Sequence, residues 1–388
     1  MRGNHLKPTV IFYLPYRPDP SRPSGTNIRP FKMLEAFKSA GCNVIKVWGY
    51  SWERKAEARR VIEKIKDGNI SFPAFVYSES STSPMALTDP NHFPHPFLDF
   101  TILKTFKKLG MPIFMFYRDV YWKFPKYMEI SPVKKALLKF FYLHEIRWIS
   151  KIVDVLFLPS LKMKEVLREL EKKVIFEELP PGTDGFAADS LSEDNLEREF
   201  QELVVIYVGG ITGSLYDISA MLEALSLLKG STSRIVKLII VTRENEWKKY
   251  LAGHGRLIEA VKDRIEVHHV SGDALKELYS KAHVASLFLP PVDYRKFAMP
   301  VKLFEYISQG KPVVASSGTA VADFISRNGS GWVLDYSPEV LAEFLSSLNE
   351  EEILSVIKRL PEVSKRHSWK SRAEKVLNIW EGIFGGKS

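Results

Sequence analysis

Short apolar runs alternate along this chain with stretches whose apolar residues recur every three or four positions, the pattern of strands interleaved with helices. Thr9 to Leu14 reads as a buried strand, followed by a loop rich in Pro, Ser and Gly from Pro15 to Gly25. Phe31, Leu34, Ala36, Phe37 and Ala40 then keep helical spacing until Gly41, and Asn43 to Trp48 reads as a second strand. Ile113 to Tyr117 predicts a strand running into Arg118 and Asp119. A long helix is expected over Val133 to Ser150, a strand over Val155 to Leu158, a helix to about Leu170 and a short strand over Val174 to Glu178. After Pro180-Pro181-Gly182 the pattern stops: Thr183 to Glu202 is polar and acidic without periodicity, and reads as a linker.

A second alternating pattern begins at Leu203 and runs to Val208-Gly209-Gly210. Helix Ile218–Leu228, strands Lys237–Val241 and Ile265–Val270, helix Ala274–Lys281 and strand Val284–Leu289 follow. Pro300 opens a helix with Leu303, Phe304 and Ile307 on one face, and Gly310 stands where a helix-ending glycine belongs. Pro312-Val313-Val314-Ala315 and Gly331 to Leu334 read as strands, and helices fill the rest. The last, Ser368 to about Phe384, carries Trp369, Ala373, Val376, Leu377 and Trp380 at helical spacing. The fold class is therefore α/β. A chain of 388 residues calls for two domains: 1–182, then a linker at 183–202, and 203–366, with a closing helix at 367–388.

The helix opened by Pro300 points to chemistry. Its first N–H groups suit a phosphate, Lys302 adds a charge there, and Glu305 lies one turn on, able to accept two hydroxyl protons. Phosphate donors beside a carboxylate suit a nucleoside diphosphate with its ribose.

Met299 to Ser317, MPVKLFEYISQGKPVVASS, resembles the donor-site motif of GT-B glycosyltransferases, especially glycosyltransferase family 4, in which a helix carries the second glutamate of Glu-x7-Glu before Gly-x-Pro-Val-Val. The resemblance extends to Val208-Gly209-Gly210 and to the loop Ser24-Gly25-Thr26. It implies two Rossmann-like domains facing each other across a cleft, the second holding a nucleotide sugar and the last helix crossing back to the first. It also implies metal-independent transfer with retention to a glycan or lipid-linked acceptor, without a cofactor. The expected donor set is Gly25, Gly209, Gly210, Arg243, Val301, Lys302 and Glu305. Arg118 and Asp119, where the family often has His-Asp, are the candidate catalytic pair, with Arg29 and His95 on the acceptor side.

Two departures stand out. The family's arginine and lysine after the glycine turn are absent, since Thr212, Gly213, Ser214 and Tyr216 occupy that loop. Arg243 at a strand end and Lys302 are the first substitutes, with Arg295 or Lys296 in a loop. Eight residues before Glu305 stands Phe297, so the first glutamate of the motif is missing. A non-catalytic GT-B-like protein binding a nucleotide or glycan is accordingly the alternative reading.

Composition narrows the partners. The net charge of +9 splits unevenly: through Pro180 there are 30 basic against 18 acidic residues (+12), and beyond it 25 against 28 (−3). The first half therefore suits an anionic partner. Lys123, Lys126, Lys134, Lys135 and Lys139 interleave with Trp122, Phe124, Tyr127, Leu137, Leu138, Phe140 and Phe141, the pattern of a peripheral membrane contact. No motif supports nucleic acid. His92 and His95 lack further ligands at metal spacing, and one cysteine, Cys42, leaves no internal disulfide. Without a spanning run or a signal-like start, the expected place is the cytoplasm, at most against the inner membrane face.

Overall fold

The computed structural model describes residues 7–20, 25–128, 130–187, 202–228 and 235–385. The chain forms two compact units, one of 1–181 with 369–388 and one of 182–368. Most of the expected linker, 188–201, lies outside the described residues.

In the first unit the order is β1 (Thr9–Tyr13), α1 (Gly25–Ser39), β2 (Asn43–Val47), α2 (Ser51–Lys66), β3 (Phe75–Glu79), α3 (Leu98–Lys108), β4 (Ile113–Phe116), α4 (Pro132–Ile152), β5 (Val155–Leu158) and β6 (Ile175–Glu178). Among the described residues these make one parallel sheet in the order β2-β1-β3-β4-β5-β6. The order reverses between β1 and β3, and ligands of such sheets bind beyond the strands' carboxyl ends at that reversal.

Three local expectations need correction here. Gly25 opens the first turn of α1 instead of lying in a loop, and Ser24 before it is outside the described residues. The segment 161–170 makes 3₁₀ turns at Leu161–Val166 and Arg168–Leu170 where a helix was expected. β3 is absent from the sequence expectations, yet it lies between β1 and β4 with all five residues buried. Its last residues, Ser78 and Glu79, break the apolar run although both are buried.

The second unit runs β7 (Glu202–Val208), α5 (Ser219–Leu227), β8 (Ile235–Val241), α6 (Glu244–Val261), β9 (Ile265–His268), α7 (Asp273–Lys281), β10 (Val284–Leu287), α8 (Val301–Ser308), β11 (Val313–Ser316), α9 (Ala320–Asn328), β12 (Gly331–Leu334), α10 (Pro338–Ser347), α11 (Glu350–Ile357) and α12 (Leu360–Arg366). Its parallel sheet is ordered β12-β11-β10-β7-β8-β9, with the reversal between β7 and β10. Two apolar layers cover it, one including Leu222, Leu225 and Leu341, the other Leu303, Phe304 and Ile307.

The last helix, α13 (Trp369–Phe384), belongs to the first unit. Trp369, Ala373 and Val376 are buried in the same cluster as Phe12, Phe75 and Phe114, and the helix packs on α1. Its apolar stripe at helical spacing is thereby accounted for.

Candidate functional site

At the carboxyl edge of the second sheet, β7 ends in Gly209-Gly210. The Tyr207 hydroxyl donates to the Gly210 carbonyl, and a side chain on Gly209 would meet that hydroxyl at 3.0 Å. A side chain on Gly210 would meet Glu246 at 3.0 Å. A side chain at either glycine would thus press on the far end of a neighbouring side chain, which would have to shift. Glu246, in the first turn of α6, accepts from the Ile211 N–H at 3.0 Å and from Arg243 at 2.9 Å. So Arg243 does come to the glycine turn, but it is 72% exposed and already holds a carboxylate.

The α8 segment follows β10, the neighbour of β7 in the sheet, and its Tyr306 hydroxyl accepts from the Val208 N–H at 2.9 Å. Pro300 occupies its N-cap position, and no side-chain oxygen caps the first turn, which leaves that end open to an anion. Lys302 and Glu305 form an ion pair across one turn, both about one-third exposed. Val301, Lys302 and Glu305 thus share one patch, and the patch is polar and accessible. The helix ends at Ser308, and Gly310 takes a φ of +67°, the left-handed turn expected of it. Phe297 is buried and packs edge-on against Tyr294 at 5.3 Å. The missing first glutamate is therefore replaced by a core residue, and Asp293 nearby is paired with Lys296 at 3.2 Å.

The first unit keeps its candidates deeper. Arg29 donates to Glu79 at 3.1 Å, lies 3.5 Å over the Phe116 ring, and is 3% exposed. The expected acceptor-side residue Arg29 therefore lies inside the first unit, held by Glu79. Glu79, at the end of the strand that sequence reasoning missed, also accepts from Tyr77 at 2.7 Å. The run Ala74-Phe75-Val76-Tyr77 shortly before it was the sequence signal for its strand. Arg118 and Asp119 stand 3.9 Å apart at the end of β4. The Tyr121 N–H donates to Asp119 at 3.0 Å, and burial raises the Asp119 carboxyl above its ordinary range despite the neighbouring Arg118 charge. His95 meets Asp89 at 3.2 Å, within a buried group in which Arg54 binds Asp99 at 2.9 Å. His92 contacts the Leu87 carbonyl at 3.0 Å. Among the described residues no group of three His, Cys, Asp or Glu stands where it could hold a metal ion.

The basic aromatic segment divides in two. Trp122 and Phe141 are core residues, Trp122 being stacked on Tyr142 at 5.2 Å, and Lys123 is bound to Glu169 at 2.6 Å. On α4, by contrast, Val133, Leu137 and Phe140 are 79%, 53% and 63% exposed at helical spacing, beside Lys134 and Lys139. No helix among the described residues is long and apolar enough to cross a membrane.

Residues 202–351 match the family model described as glycosyl transferases group 1. That stretch holds the glycine turn, Arg243, Lys302 and Glu305. Solved structures match the whole chain in fold. The sucrose-phosphate synthase of Thermosynechococcus elongatus has a TM-score of 0.63 at 16% identity, covering 98% of this chain and all of that one. WaaG, a glycosyltransferase involved in lipopolysaccharide biosynthesis, gives 0.60 at 17%, covering 97% and 100%. Anabaena HepE in complex with UDP and glucose gives 0.61 at 10%, covering 96% and 100%. The fold of the chain is that of the GT-B enzymes, with two parallel α/β units. No curated protein matches the sequence.

Proposed function

We propose that this protein is a glycosyltransferase that takes a sugar from a nucleoside diphosphate sugar. The observation that carries the reading is the open α8 N-terminus with Lys302 and Glu305 on one accessible turn, inside the group 1 region. Glu305 accepts the ribose hydroxyls, and the helix N–H groups with Lys302 meet the diphosphate. HepE, of the same fold, is described in complex with UDP and glucose, which makes a uridine donor the first to try. Transfer is read as retaining and metal-independent, with protein groups meeting the charge that builds on the leaving diphosphate. Arg118 and Asp119 are assigned to the reacting centre. The acceptor is read as a glycan or lipid-linked molecule, and the stripe Val133, Leu137, Phe140 with its lysines as the contact with an anionic cytoplasmic membrane face.

The test is a panel of UDP-, GDP- and ADP-sugars in thermal shift, followed by turnover of each binder over a mixed acceptor pool with and without EDTA. One donor should raise the melting temperature, and its turnover should survive chelation. If no donor shifts the melting temperature, the reading is wrong. Binding without turnover on any acceptor favours the non-catalytic alternative, for which the buried Phe297 in place of a glutamate is the specific observation. Vesicle co-sedimentation tests the membrane contact: replacing Lys134, Lys135 and Lys139 with Gln should abolish retention on anionic vesicles at low salt. If the unaltered protein ignores such vesicles, the acceptor is a soluble one.

A further inference from the structure

The diphosphate of a nucleotide donor carries at least two negative charges, and the loop after the glycine turn, Thr212 to Tyr216, offers no cation to meet them. The cations around this edge differ in how they are held. Arg243 is bound to Glu246, Lys302 to Glu305 and Lys296 to Asp293. Arg295 is the exception.

Arg295 sits in the short 3₁₀ turn Asp293–Lys296, in the connection from β10 to α8. It reaches over to the connection after β7, where one terminal nitrogen donates to the Leu215 carbonyl and the guanidinium lies 5.5 Å from the Tyr216 ring centre. β7 and β10 are the neighbouring strands at which the order of this sheet reverses. Arg295 therefore spans the crevice in which α/β sheets of this topology bind ligands. The ionisable groups nearest to it are the hydroxyls of Tyr207, Tyr216, Tyr294 and Tyr336, and no carboxylate among the described residues stands within ion-pair distance. Its Nε is buried without a hydrogen-bond partner. Burial disfavours the charged form and lowers its affinity for the proton. A half-buried guanidinium with a spare donor and no counter-ion is an unfinished ion pair, and its planar fork fits a phosphate.

We infer that Arg295 binds the donor diphosphate, supplying from the β10 connection the charge that the glycine turn lacks. The inference rests on the donor reading above. An anion at this place would meet the terminal nitrogen not bound to Leu215, beside the Tyr216 ring.

The experiment compares UDP with uridine, by calorimetry, on the unaltered protein and on Arg295→Gln and Arg295→Met. Should UDP not bind, GDP with guanosine and ADP with adenosine replace it. The Met variant suits the aromatic surroundings, so at least one variant should keep the circular dichroism of the parent. Either folded variant should bind the diphosphate at least tenfold more weakly and the nucleoside with unchanged affinity. Its unliganded melting temperature should be equal or higher, because an unpaired charge has been removed. If a folded variant binds the diphosphate as tightly as the parent, Arg295 has no such role and the donor reading stands. A lowered melting temperature with unchanged affinity makes Arg295 structural and overturns the inference in the same way. If the unaltered protein binds none of the three diphosphates, the donor reading falls and takes this inference with it.

Discussion

In the first unit two ion pairs near the sheet's carboxyl edge are inside the protein: Arg29 and Glu79 are 3% and 2% exposed, and Arg54 and Asp99 1% each. In the second unit the corresponding charges are accessible, with Lys302 and Glu305 about one-third exposed and Arg243 72%. An ion pair enclosed by protein is committed to the fold, since removing one partner strands the other in a poor solvent. An exposed pair contributes little to stability and exchanges its partner readily. Charges at equivalent edges of two similar sheets thus do different work. Those of the second unit are held only by exposed pairs.

The sharpest way to break this contrast is Arg54→Ala, which leaves Asp99 and the neighbouring Asp89 buried without their cation. It should destabilise the protein by ~3–5 kcal/mol in urea unfolding. A loss below about 1 kcal/mol would show that the first unit's charges are no more committed than those of the second.

Next in size is a pH effect confined to the first unit. Glu145 on α4 is buried and accepts from the Met85 N–H at 2.8 Å. Burial, reinforced by Asp99 and Asp119, pushes its carboxyl up to about 8, above the ordinary value near 4.5. A folded-state value above the unfolded one means stability that is full below about pH 4.5 and declines as the pH rises through 8. Glu145→Gln keeps the acceptor and removes the proton. The variant should gain ~2–4 kcal/mol over the parent between pH 5 and pH 8. Parallel pH profiles of the melting temperature would refute this.

On the second unit's side, Glu305→Ala should weaken binding of the matching nucleoside diphosphate by ~1.5–3 kcal/mol, as for a charged hydrogen bond. Its stability should change by less than about 0.5 kcal/mol, as for an exposed pair. Calorimetry and urea unfolding on one preparation separate the two. Intact affinity would remove Glu305 from the ribose.

The smallest effect qualifies the contrast from within the second unit. Lys311 is buried there, donates to the Ala282 carbonyl at 2.8 Å, and has its affinity for protons lowered to about 8 by burial. Its folded-state value lies below the unfolded 10.5, so its charge disfavours the folded state fully below pH 8 and ceases to do so above about 10.5. Lys311→Met should gain ~1–2 kcal/mol at pH 7 and nothing at pH 11. A loss at pH 7 would mean that its hydrogen bond outweighs its buried charge.

The second unit was the more legible of the two from sequence. Lys302, Glu305 and Gly310 lie within one helix and its end, where spacing fixes geometry, because residues three apart on a helix share a side. The glycine turn and the final apolar stripe of α13 could be read for the same reason: the pattern and the contact surface belong to one element. The α/β alternation could be read because buried parallel strands are short, apolar and set between periodic helices.

Other features were decided by tertiary structure alone. Arg29 and Glu79 are 50 residues apart, and only the pairing of β1 with β3 brings the two elements together. A buried polar strand end looks like a loop until its partner is known, which is why β3 was not expected. Trp122 and Phe141 in the core and Phe140 in solvent differ by which side of a packed layer each faces, and composition carries no such information. In the sequence Arg295 was one loop candidate beside Lys296, and nothing ranked it above Arg243 or Lys302. Its lack of a counter-ion exists only where two chain connections meet at the reversal of the sheet, because the charge balance of a site is set by neighbours in space, and sequence distance says nothing about those.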